Sequence, residues 1–170
     1  TLSLHDALPI SLARMVVAYL KGVGPVKSII DSTLTALGAP GKPEVLVSLL
    51  GRVAARNLET AVIADWSLEW VNELIAAYKG GEASFFAPST IVDGKGAGMW
   101  EAPRGALGHW MNVQGGSISN YQIVTPSTWD ISPRDAEGVR GPMEEALVGT
   151  PVLDLERPIE AGRVARSFDP

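Results

Sequence analysis

From Pro43 to Lys79 the sequence contains no internal proline and a single glycine, Gly51, and so long an uninterrupted helical stretch leaves a chain few folds to choose from. Leu46, Leu49, Leu50, Val53, Leu58, Ala61, Val62, Trp66, Trp70 and Leu74 form an apolar stripe along it. At about 1.5 Å per residue the stretch predicts a rod roughly 50 Å long, closed by Gly80 and Gly81. The stripe is too broad and irregular for the a/d seam of a coiled coil, which favours burial against several neighbours over a dimer zipper. Trp66 and Trp70 are accordingly expected in a core rather than at a partner interface.

Two shorter helices precede the rod. Leu12, Met15, Val16, Tyr19 and Leu20, then Val26, Ile29, Ile30 and Leu34, recur at helical spacing. Gly22, Gly24 and Pro25 separate the two, with Pro25 suited to the first turn of the second, and Gly38 and Pro40 end it. Residues 1–10, TLSLHDALPI, are out of character with the rest of the chain and are set aside as an artefactual leader.

After Gly81 the density of glycine and proline rules out long helices. His109–Val113 and Ser117–Val124 flank Gln114, Gly115 and Gly116, which predicts a β-hairpin with a glycine turn. Short helices are expected at about Pro142–Val148 and Pro158–Arg166. The fold expected is α+β and predominantly helical: a long-helix bundle followed by a loop-rich half with a small β-hairpin. Residues 11–170 are read as one domain, with a helical half at 11–81 and a loop and hairpin half at 82–170.

Composition narrows the function classes. A formal net charge of -5 provides no basic field for a nucleic-acid backbone. Charged, Gly or Pro residues interrupt every apolar run before it reaches the roughly 18 residues of a membrane span. With no cysteine, the chain offers no disulfide, iron-sulfur cluster or thiolate metal site.

Four features can carry chemistry. Gly94, Lys95, Gly96, Ala97 and Gly98 fit neither phosphate-binding glycine pattern, which favours a flexible turn. His109 beside Trp110 reads as a hydrogen-bonded structural imidazole rather than a catalytic one. In Glu101, Ala102, Pro103, Arg104 and Gly105, a guanidinium sits between a φ-locked proline and a glycine, as suits a planar donor fork aimed at an anion or small ligand. An arginine paired to a surface carboxylate is the plainer reading. The stretch Asn120–Trp129 ends a strand in a hydroxyl-rich proline turn, which can face a ligand or satisfy itself.

The runs GMWEAPRGALGHW, NYQIVTPSTWDISPRD, GPMEEALVGTPV and RVARSFDP, in that order from Gly98 to Pro170, resemble the carboxyl portion of the large subunit of nickel-iron hydrogenases. A related quinone-binding subunit of respiratory complex I carries a similar motif with lysine in place of Arg104. Arg104, followed by Ala106, Leu107, Gly108, His109 and Trp110, favours the hydrogenase over that alternative and over a non-catalytic helical interaction module.

The resemblance implies a parent enzyme that cleaves molecular hydrogen heterolytically, in the uptake direction, at a nickel-iron centre with cyanide and carbon monoxide ligands and a magnesium ion nearby. Four cysteines of two CxxC pairs hold that centre in the family, and both pairs are absent here. The chain is therefore expected to be a fragment, inactive and without bound cofactor on its own. Arg104 would be the catalytic guanidinium over the metal site. Ala102 and Pro103 would line the diatomic-ligand pocket, Thr125, Pro126 and Ser127 the facing wall, and the main-chain carbonyl of Ile123 would reach magnesium. The implied partner is an iron-sulfur small subunit. The implied location is membrane-associated on the periplasmic side through partners, with a cytoplasmic one as the alternative.

Overall fold

The computed structural model describes residues 10–82, 84 and 86–169. The leader reading concerns residues that, Ile10 aside, lie outside these. Helix α1, Ile10–Leu20, turns at Gly22, whose φ of 71° is the left-handed conformation that ends a helix without a Cβ clash. Helix α2, Gly24–Ala36, carries Pro25 in its first turn and ends at Gly38 with φ 70°.

The long helix starts later than its sequence predicts. Pro43–Leu46 is a short 3-10 turn, and α3 runs from Leu49 to Lys79. Ser48 breaks the two apart by capping α3, its hydroxyl accepting from the Gly51 amide at 3.0 Å. The break folds Leu46 back into the core, where it is 2% exposed. Gly51 permits that return: a Cβ there would lie 1.8 Å from the Leu46 carbonyl oxygen.

Leu12, Met15, Val16, Val26, Ile30, Leu34, Leu46, Ala55 and Val62 form one apolar core between α1, α2 and α3, with Trp66 half-buried at its edge. Beyond Trp66 the rod outruns its neighbours. Trp70 is 54% exposed and packs on Trp66 with ring centroids 6.4 Å apart, so the expectation of a core position holds for Trp66 and not for Trp70. The stripe from Trp70 to Tyr78 lies open because α1 and α2 are too short to cover it.

The second half holds more sheet than the single hairpin expected. Strands β1, Gly94–Ala102, β2, Gly105–Gln114, and β3, Ser117–Val124, form an antiparallel meander in that order. Gly98 pairs with His109 and His109 with Ile123. The run Gly94–Gly98 is thus the start of an edge strand, neither a flexible turn nor a phosphate loop. Its ladder is made by backbone groups, which glycine supplies as well as any residue. The Gly115–Gly116 turn has φ of 59° and 73°, the double left-handed geometry of a tight hairpin. The Asp93 carboxylate accepts from both of its amides, at 2.9 and 3.2 Å.

Helices α4, Pro126–Asp130, α5, Pro142–Leu147, and α6, Ile159–Ser167, complete the chain. The first forms where a proline turn was expected, because Pro126 suits a helical first turn. α6 packs on α3 and α5, and α4 on β2 and α5. Among the described residues no helix is long and apolar enough to cross a membrane.

Candidate functional site

The β1–β2 reversal places Arg104 at the tip of a two-residue turn, since Ala102 pairs directly with Gly105. Pro103 fixes one backbone angle of that turn, and Gly105 takes φ 128°, a value that disfavours any side chain. The turn faces the end of α6. Arg104 Nε donates to the main-chain oxygen of Asp169 at 3.1 Å and lies 3.3 Å from its carboxylate. Asp169 is the one described non-glycine residue with positive φ, 54°. That left-handed step after α6, which aspartate tolerates better than most residues, turns its carboxylate back toward Arg104.

Two further guanidinium groups reach the same segment from α3, one helical turn apart. Arg56 Nη2 donates to the Ser167 carbonyl at 3.2 Å, and its Nη1 lies 3.5 Å from the Asp169 carboxylate. Arg52 Nε donates to the Ser167 hydroxyl at 2.8 Å, and its guanidinium carbon sits 4.8 Å from the Phe168 ring centroid, within cation-π range. Burial holds the Arg52 guanidinium below its ordinary pKa. Ser11, Leu12, Arg52, Arg56, Pro103, Arg104 and residues 167–169 line a cavity of about 20 Å³, room for a water molecule. Three cations and one carboxylate make this wall positive, which suits an electron-rich ligand or an anion.

The structure brings Arg104 and Pro103 to this cavity and leaves Thr125, Pro126 and Ser127 outside its lining. Those three open α4, with Pro126 buried, Ser127 half-buried and the Thr125 hydroxyl 3.1 Å from that of Thr128. Ala102 is half-buried, and its carbonyl accepts from Arg14 Nη1 at 2.8 Å. Ile123 sits on β3 opposite His109, 48% exposed. His109 Nδ1 is hydrogen-bonded to the Tyr121 hydroxyl and stacked on its ring, in keeping with a structural imidazole.

Sequence reading passed over Asp169 as a functional group although it lies within SFDP, because only its backbone twist aims it at Arg104. It also passed over Arg52 and Arg56, whose spacing of four on one helix face was the available signal. No described group of three His, Cys, Asp or Glu side chains could hold a metal ion, and the chain has no thiolate. The donor set of a thiolate-held metal is therefore not on this chain; what it carries is a cationic wall.

Residues 10–170 match the family described as nickel-dependent hydrogenase. The chain is 40% identical over 161 residues to the quinone-reactive Ni/Fe-hydrogenase large chain of Wolinella succinogenes, covering 94% of this chain and 28% of that protein. It is 39% identical over 165 residues to the uptake hydrogenase large subunit of Bradyrhizobium diazoefficiens, covering 94% and 27%. Among solved structures it is similar to the Ni-Fe-Se hydrogenase of D. vulgaris Hildenborough in the reduced state, with a TM-score of 0.72 and 37% identity over 86% of this chain and 31% of that one. The chain spans little more than a quarter of the length of these two curated relatives.

Proposed function

This chain belongs to the nickel-dependent hydrogenase family, and on that premise we propose that it forms the arginine-bearing wall of the catalytic centre in the large subunit of an uptake hydrogenase. The parent reaction is heterolytic cleavage of molecular hydrogen at a nickel-iron centre carrying cyanide and carbon monoxide, with electrons leaving through an iron-sulfur small subunit. This chain has no thiolate to hold that centre; its own part is the arginine wall.

The observation that carries the reading is the contact of Arg104 with Asp169, which joins the EAPRG turn to the SFDP segment. Both contacts run through Nε, which leaves the four N–H donors of the two Nη groups for a ligand on the open side. Arg104 thereby presents a planar fork of hydrogen-bond donors and a positive charge to that side. Asp169 orients it, and Arg52 and Arg56 hold the segment that bears Asp169. Ala102 and Pro103 supply apolar wall for the diatomic ligands. Thr125, Pro126 and Ser127 would form the facing wall, supported by the order of motifs along the chain and the packing of α4 on β2, and the Ile123 carbonyl would be a magnesium ligand, supported by the motif order alone.

The test is a chimaera in which residues 10–169 replace the corresponding segment of the Wolinella succinogenes large chain, produced with its own small subunit. Hydrogen uptake by the chimaera, with turnover reduced at least about tenfold by Arg104→Lys at unchanged nickel content, is the expected result. Turnover by Arg104→Lys equal to that of the chimaera overturns the assignment.

A further inference from the structure

Arg14 lies in the middle of α1, two residues after Leu12 and one before Met15, both buried in the core. Its guanidinium reaches across to the sheet half of the molecule. Nε donates to Glu59 Oε1 at 2.6 Å, and Nη2 donates to Glu59 Oε2 at 2.9 Å and to the Pro103 carbonyl at 2.9 Å. Nη1 donates to Glu101 Oε2 at 3.1 Å and to the Ala102 carbonyl at 2.8 Å. A guanidinium has five N–H donors, and these contacts occupy all five.

We propose that Arg14 is the positioning residue for Arg104. The Ala102 and Pro103 carbonyls belong to the two successive peptide planes on either side of Pro103. The proline ring locks the φ angle between those planes. Holding both carbonyl oxygens on one rigid fork removes the remaining rotations that could swing the turn. The second plane ends in the Arg104 nitrogen, so the fork sets where the Arg104 side chain departs. Glu59, only 15% exposed at its side chain, holds the fork from α3 through two parallel bonds, the strongest geometry available to an arginine. The turn is thereby hung from the helical core rather than from the exposed edge strand that precedes it. Burial works against the Arg14 charge, but Glu59 and Glu101 outweigh it and leave the guanidinium still harder to deprotonate.

A lysine at this position keeps the charge and loses the geometry, because three donors on one atom cannot span two carbonyls and a carboxylate pair. Arg14 does not line the small cavity bounded by Arg52, Arg104 and Asp169, so its influence on chemistry passes through the turn. The importance of that influence rests on the hydrogenase reading; the placement of the turn does not.

The experiment uses the full chain, isotope-labelled, with Arg14→Lys, and with Glu59→Gln as a second variant should the first fail to fold. Hydrogen exchange at residues 104–106 is expected to rise at least about tenfold while the core amides of α2 stay protected. The Arg104 Nε–H resonance is expected to shift toward that of an unpaired guanidinium. Unchanged exchange in the turn, or loosening spread evenly over α1, α2 and α3, overturns the proposal. In the chimaera, Arg14→Lys is expected to lower kcat with little change in KM. If Arg104→Lys is slow and Arg14→Lys is not, the positioning claim falls and the hydrogenase reading stands. If Arg14→Lys loosens the turn and neither variant affects turnover, the positioning claim stands and the hydrogenase reading falls.

Discussion

Arg104 Nε lies 3.1 Å from the main-chain oxygen of Asp169 and 3.3 Å from its carboxylate, across 65 residues of sequence. Both side chains are about half exposed, so water screens the pair and its net contribution to stability is at most about 1 kcal/mol. Its consequence is geometric. Asp169→Asn is expected to leave the unfolding midpoint nearly unchanged while raising the mobility of the Arg104 guanidinium, read by nitrogen relaxation at Nε. A large loss of stability with unchanged mobility would contradict this assignment of roles.

Gly51→Ala introduces a Cβ 1.8 Å from the Leu46 carbonyl oxygen. The obstacle is backbone at both ends, so the 3-10 turn must move and withdraw Leu46 from the core. A loss of about 3 kcal/mol in urea unfolding is expected, although alanine is elsewhere the better helix former. A stabilised variant would show that the turn does not rest against Gly51.

Asp130, at the end of α4, is 5% exposed, and burial pushes its carboxyl up from 3.8 to about 6. The folded state then binds the proton more tightly than the unfolded chain. Its contribution to stability therefore declines as pH rises from about 4 to about 6 and is flat above that, a total of about 3 kcal/mol for a shift of roughly two units. Asp130→Asn removes this titration. The advantage of the variant over the parent in urea unfolding is expected to grow between pH 4 and pH 7; an advantage independent of pH would refute the assignment.

Asp93 shows the opposite sign. The Gly115 amide, then the Gly116 amide, holds its carboxylate below the usual range. The tie is fully present above the ordinary carboxyl pKa and is lost as pH falls through the lowered one. The protection of the Gly115 and Gly116 amides, taken relative to their intrinsic exchange rates at each pH, should therefore fall on acidification, and Asp93→Ala should show the reduced protection at every pH.

Much of the helical half was legible because the signals that start and stop helices are local. Gly22, Gly38 and Gly81 follow the helices in the left-handed conformation that the lack of a Cβ permits, and the Gly115–Gly116 turn closes its hairpin for the same reason. The break after Leu46 was not legible, since it depends on Leu46 finding a place between α1, α2 and α3. The strand at Gly94–Gly98 was hidden as well, because the backbone ladder that holds it comes from β2 rather than from its own side chains. At the site, the motif order from EAPRG to SFDP was visible in the sequence, while the ties of Arg14 and Arg104 to their partners were not.

The amino-acid sequence by itself determined the helix limits set by glycine and proline, the hairpin turn, the absence of thiolate ligands and the family resemblance, since each rests on residue type or on contacts a few positions apart. Only the tertiary structure decided that Arg14 holds the turn bearing Arg104 and that Asp169 meets its guanidinium. Those bonds join residues 65 to 89 positions apart. A directional hydrogen bond between such distant groups exists only after packing has brought their backbones together, and no local preference encodes it.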